Sequence, residues 1–161
     1  MLARNPVTPP VAETSSAPRI RVAAIIVRDN ELLLVRHVKE EKSYWLLPGG
    51  GLEYGEPLAD GLRRELREEA CIEIAVGDLV VVNDSIPPGN TRHTINLCFT
   101  AEIVSGQVRR GCDPRVVEVR FVPVNELESL TLYPDIRHEL VPALRDGFPR
   151  GAAYLGNLWK E

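Results

Sequence analysis

The sequence predicts an α/β domain in which helices cover both faces of a mixed β-sheet. Three observations carry this expectation. Segments rich in β-branched and apolar residues lie before and after one amphipathic helix, a second helix closes the chain, and turn-forming residues separate the segments. At 161 residues, with 44% hydrophobic and 26% charged residues, the chain can bury one ordinary core. No internal repeat and no second domain is visible.

Residues 1–18 are rich in proline, alanine, serine and threonine and are expected to form a flexible tail. The alternative is a short arm that pairs with another subunit, giving a homodimer. Residues 20–28 and 31–37 read as strands joined by the tight turn Asp29-Asn30. Residues 44–47 form a brief extended piece that leads into the glycine loop Pro48-Gly49-Gly50-Gly51. A helix is expected over 57–70, because Pro57 suits the first helical position and Asp60 suits its positive end. Strands follow at 73–83 and 94–103, separated by a loop at 84–92 that contains Pro87-Pro88-Gly89-Asn90. A further strand occupies 116–122, and a closing helix 135–145 is entered at Pro134 and interrupted or bent at Pro142. The single domain then spans 19–149, with 150–161 as a C-terminal extension.

The helix at 57–70 carries the unusual chemistry. On a wheel of 3.6 residues per turn with Glu65 at zero, Glu68 falls near roughly −60° and Glu69 near about +40°. Leu58, Leu62 and Leu66 fall near roughly +20°, +60° and +100°, so Glu69 lies inside the apolar stripe and Glu65 at its edge. One reading is a solvated, salt-bridged face, supported by the i,i+4 pairs Asp60–Arg64 and Arg64–Glu68. The other is a divalent-metal site, because a carboxylate turned toward a core needs something positive beside it, and hard cations choose carboxylate oxygens.

The net charge of −4 gives no basic footprint for a nucleic acid polymer. Acidic balance does not exclude an anionic substrate, since metal ions and local arginines reverse the field within a cleft. The longest apolar run, 22–27, is far too short to span a membrane, and no signal peptide is visible. Cys71, Cys98 and Cys112 are odd in number and lack metal-type pairing, so they read as reduced thiols of a cytoplasmic protein.

Gly50, five residues, Glu56, seven residues, then Arg64-Glu65-Leu66-Arg67-Glu68-Glu69 resembles the signature of the Nudix hydrolases. The signature ends in a glycine and an apolar residue; this chain has Cys71 and Ile72 there. A glycine after a helix supplies a left-handed residue, which costs a non-glycine roughly 1 kcal/mol or more. Cys71 must therefore accept that conformation or let the helix end differently. No ligand position is lost.

The resemblance implies the Nudix α/β/α sandwich and a loop–helix–loop that holds Mg²⁺ or Mn²⁺ against a pyrophosphate. Carried over by position, Glu65, Glu68 and Glu69 would be metal ligands, with the Gly49 carbonyl as a backbone ligand. Arg64 would orient a neighbouring glutamate and Glu56 would tie the loop to the helix. Gly49, Gly50 and Gly51 would let the backbone approach the phosphates closely. Glu118 stands where relatives place an additional ligand or base; its other reading is an ordinary exposed strand residue. The implied reaction is hydrolysis of a nucleoside diphosphate linked to another moiety, with ADP-ribose as a candidate. Nucleoside triphosphates, including oxidised ones, are rival substrates, and a non-catalytic nucleotide-binding module is the alternative of another class. Candidate substrate contacts are Arg36 and Trp45, followed by Tyr44, Tyr54, Tyr133, Arg92 and His93. Pro87 and Pro88, 15 and 16 residues beyond Ile72, either mark ADP-ribose specificity or simply form a turn. The expected partner is a small-molecule nucleotide, with no nucleic acid polymer and no membrane.

Overall fold

A computed structural model describes residues 17–160. The expected tail or subunit-pairing arm falls almost wholly outside the described residues.

The strand expected at 20–28 is divided. Its first part, Arg19–Ile25 (β1), and its end, Val27–Arg28 (β2), join different sheets. Asp29 and Asn30 both adopt positive φ, 50° and 61°, which a two-residue hairpin turn requires. The chain then forms Glu31–Lys39 (β3), Lys42–Leu46 (β4) and the short glycine strand Gly49–Gly51 (β5). Pro57 is extended and precedes the helix, which runs Leu58–Ala70 (α1). Two long antiparallel strands follow, Ile72–Ser85 (β6) and Thr94–Gly106 (β7), then Val116–Pro123 (β8). A 3₁₀ turn at Val124–Ser129 leads to the closing helix Arg137–Asp146 (α2). This helix passes through Pro142 without a break. The extension contributes a strand, Ala153–Asn157 (β9), which lies parallel to β6.

The mixed sheet of the expected α/β fold is present, in the order β5-β1-β7-β6-β9. Beside it stands a smaller antiparallel sheet in which β3 pairs with β2, β4 and β8. Strand alternation assigns the two cores. Val22, Ala24 and Leu33 pack with Leu62, Leu66 and Ala70 of α1. Ala23, Ile25, Leu32 and Leu34 pack on the other side with Trp45, Ile136 and Leu140 beside α2. The result is an α/β/α arrangement in which successive residues of β1 and β3 address opposite helices.

Cys71 resolves the helix end by adopting the left-handed conformation itself, at φ 57° and ψ 35°. Its N–H donates to the Arg67 carbonyl at 3.2 Å.

Candidate active site

Helix α1 turns two acids inward. Glu69 is 0% exposed and Glu65 4%, among the leucines that anchor the helix. The glycine strand makes this tolerable. The Gly49 N–H donates to Glu69 Oε2 at 2.7 Å. A side chain at Gly49 would meet the Val22 carbonyl at 2.1 Å, and one at Gly50 would lie 2.2 Å from the Glu65 carboxyl. Only a strand without side chains approaches the helix this closely.

Arg64 organises the outer half of the site. Its guanidinium donates to Glu56 Oε1 (2.9 Å) and Oε2 (3.0 Å), to the Gly51 carbonyl (3.0 Å) and to Glu65 Oε1 (2.9 Å). The arginine thus ties loop, Glu56 and Glu65 together, and its bonds to Glu56 hold it firmly protonated. Glu68 lies on the open side, 3.6 Å from Arg64 Nη1 with its side chain 43% exposed.

The third inward acid is one the sequence reading missed, Asp113. The β7–β8 loop carries it over the C-terminal end of α1. Gly111 N–H donates to the Glu69 carbonyl (3.0 Å) and Cys112 N–H to the Glu68 carbonyl (2.8 Å), so helix-end acceptors fix the loop. Gly111 is required there, because a Cβ would meet the Glu68 carbonyl oxygen at 2.0 Å. Asp113 is buried and gripped by Arg115, at 2.6 Å between Nη2 and Oδ2. Among the described residues, Glu65, Glu69 and Asp113 each offer an oxygen within 4.8 Å of the others. The local signal was thin: an Asp-Pro turn between two strands, more than forty residues from the helix in sequence.

The electrostatics leave this group incomplete. Glu65 Oε2 and Glu69 Oε1 are buried without a hydrogen-bond partner. His37 Nε2, equally unpartnered, stands 3.8 Å from Glu69 Oε1, beyond hydrogen-bond reach. Burial pushes the Glu65 carboxyl above its ordinary value against the pull of Arg64. Arg115 holds Asp113 below the usual carboxylate range. Buried unpaired carboxylate oxygens cost several kcal/mol in order-of-magnitude terms unless a cation meets them. An all-oxygen donor set of this kind fits Mg²⁺ or Mn²⁺.

Glu118 does not join the group. It lies opposite Arg36 across the β3–β8 ladder, accepts a hydrogen bond from Arg36 Nε at 2.8 Å and forms an ion pair with Arg120, whose Nε is 3.1 Å from Oε1. Residues of this parity, Leu32 and Leu34 on β3 and Val122 on β8, face α2, whereas His37 faces the carboxylates. Arg36 and Arg120 also cover the Trp45 ring, at 5.9 and 5.0 Å from its centroid, and Trp45 is itself buried in the α2-side core.

On that same side opens a cavity of about 690 Å³. Tyr44, Tyr133 and Arg92, all candidate substrate contacts, line it, as do Arg21, Asn96 and Trp159. Trp45 and Arg36 do not, Tyr54 projects fully into solvent, and His93 is bound to Asp84 at 2.6 Å. Arg21 joins cavity to loop: its Nη2 donates to the carbonyls of Leu47 (2.8 Å) and Gly49 (3.3 Å). Burial pulls the Arg21 guanidinium below its ordinary value, opposed by the charge of Glu69.

Comparison with known proteins gives a consistent picture. The NUDIX domain model matches residues 17–144. The chain is 31% identical over 114 residues to an ADP-ribose pyrophosphatase of Methanocaldococcus jannaschii, covering 70% of this chain and 66% of that protein. The chain spans two thirds or less of the first curated relatives it matches, down to 42%. Among solved structures, a NUDIX hydrolase from Nitrosomonas europaea superposes with a TM-score of 0.72 at 22% identity, covering 83% of this chain and 94% of that one. A MutT NUDIX hydrolase from Burkholderia pseudomallei reaches 0.63 at 32% identity, covering 70% and 88%.

Proposed function

The chain belongs to the NUDIX domain family, and from that premise we propose that it is a divalent-metal-dependent hydrolase that cleaves the pyrophosphate bond of a nucleoside diphosphate linked to another group. The observation that carries this reading is the pair of buried, unpartnered oxygens Glu65 Oε2 and Glu69 Oε1 beside Asp113.

Glu65, Glu69 and Asp113 would hold Mg²⁺ or Mn²⁺, with Glu68 on the exposed side and the Gly49 carbonyl at the loop. The bound ion would neutralise the diphosphate and acidify an attacking water. The chain's own groups set the geometry. Arg64 fixes Glu65 and the loop, Gly49 N–H fixes one oxygen of Glu69 and so orients the other, and Arg115 fixes Asp113. The glycines, lacking side chains, let the backbone of the loop approach the phosphates, and a carboxylate of the group accepts the water's proton. Attack at one phosphorus releases a nucleoside monophosphate and a phosphorylated second product.

ADP-ribose is the substrate we favour, supported by the relative in M. jannaschii and by a cavity that combines aromatic rings with cations. We place the enzyme in the cytoplasm on its three free cysteines. No described helix is long and apolar enough to cross a membrane. The test compares kcat/KM for ADP-ribose, nucleoside triphosphates, dinucleoside polyphosphates and nucleotide sugars with Mg²⁺ or Mn²⁺. Preference for ADP-ribose is expected; preference for triphosphates would replace the substrate, and no cleavage of any would leave a binding module.

A further inference from the structure

The family match ends at residue 144, yet the cavity is not closed there. Its last wall comes from the C-terminal segment, and four contacts hold that wall in place. Strand β9 pairs with β6. Asn157 then brackets Ile86, accepting from its N–H at 2.9 Å and donating to its carbonyl at 3.1 Å. Leu158 N–H donates to the Asp84 carbonyl at 2.9 Å. Lys160 Nζ pairs with Asp135, just before α2. Between these ties the chain presents Trp159 to the cavity.

Trp159 has two features that point to a ligand. Its Nε1 is buried without a hydrogen-bond partner. The Arg92 guanidinium lies 4.7 Å from its ring centroid and carries no carboxylate partner among the described residues. Elsewhere in the wall Lys39 and Lys42 are likewise without acidic partners among the described residues, and Tyr44 and Tyr133 meet edge to face at 5.5 Å. An aromatic, cationic cavity whose inner arginine touches the Gly49 carbonyl suits the ring of a nucleotide whose phosphates run toward the glycine loop.

We propose that Trp159, delivered by the C-terminal segment, is a specificity-determining residue that stacks on the nucleobase of the substrate. This deepens the proposed function, since it rests on the substrate being a nucleotide. It asks for no catalysis, so it is tested without metal.

AMP serves as the probe in EDTA, with ribose 5-phosphate as the same phosphate lacking a base. The chain has two tryptophans, Trp45 and Trp159, so W45F leaves Trp159 as the sole indole reporter. AMP should quench W45F fluorescence and ribose 5-phosphate should not. By calorimetry W159A should weaken AMP binding by about tenfold or more, W159F should restore most of it, and ribose 5-phosphate binding should stay level. Equal AMP affinity in wild type and W159A, or equal losses for AMP and ribose 5-phosphate, overturns the assignment. If W159A does not fold, the W45F titration decides: absence of AMP-specific quenching sinks the proposal. Failure of the hydrolytic reading would appear separately, as inactivity of wild-type protein with metal across the substrate panel.

Discussion

The backbone N–H of Gly49 holds Glu69 by Oε2 at 2.7 Å, while Oε1 of the same carboxylate is buried with no partner. A glycine loop and an inward helix face are thereby locked together with one acceptor left over. A group arranged this way is poorly satisfied without a cation, and the consequences are measurable.

Glu69→Gln keeps the size of the side chain and removes its charge. Hydrolysis should fall by about a hundredfold or more, while the melting temperature in EDTA should not drop. Full activity in this variant would show that Glu69 is not a ligand.

Asp113→Asn tests the residue that came from the distant loop. Mn²⁺ affinity, read by calorimetry or by the spectrum of free Mn²⁺, should weaken by about ten- to a hundredfold. Arg115→Ala provides the comparison, because it frees Asp113 without removing its charge. Equal Mn²⁺ affinity in wild type and Asp113→Asn would remove Asp113 from the site.

Gly50→Ala places a methyl 2.2 Å from the Glu65 carboxyl, which Arg64 holds in position. Glu65 must shift, so activity should fall more than stability, for which a cost of about 1–3 kcal/mol is expected. Urea denaturation alongside kcat separates the two. An active Gly50→Ala enzyme would mean that the position of Glu65 is not critical.

Glu65 gives a pH signature. Burial raises its carboxyl above the ordinary 4.5. A raised acid favours the folded state when protonated, so its contribution is present at low pH and is lost as pH rises through the folded value. In EDTA, wild type should therefore lose stability relative to Glu65→Gln as pH rises from about 4.5 toward neutrality. Saturating Mg²⁺ or Mn²⁺ should reverse the order, by about 2.7 kcal/mol at a hundredfold excess over Kd. A pH-independent difference between the two proteins would refute this account.

Part of the site was legible from local rules alone. The helical wheel placed Glu69 within the leucine stripe and Glu65 at its edge, and both are buried. The i,i+4 spacing brought Arg64 near Glu68, whereas the expected glycine loop contains a short strand, Gly49–Gly51, that pairs with β1. Cys71 kept the left-handed helix end that a glycine would supply. Each of these follows from backbone geometry over a few residues.

The rest was decided at long range. Glu118 lies on a predicted strand, but β3–β8 register turns it toward Arg36 and α2, and a one-residue change of register would have reversed its face. Asp113 reaches the carboxylates because exposed helix-end carbonyls capture its loop, a pairing between segments far apart in the chain. Trp159 closes a cavity because β9 adds to the edge of the sheet at β6. Helical and strand periods are local, and so the α/β class, the inward acids of α1 and the glycine loop could be read from the order of residues. Strand pairing and loop docking join residues that no local period relates, and so the third acid and the walls of the cavity emerge only from the folded chain.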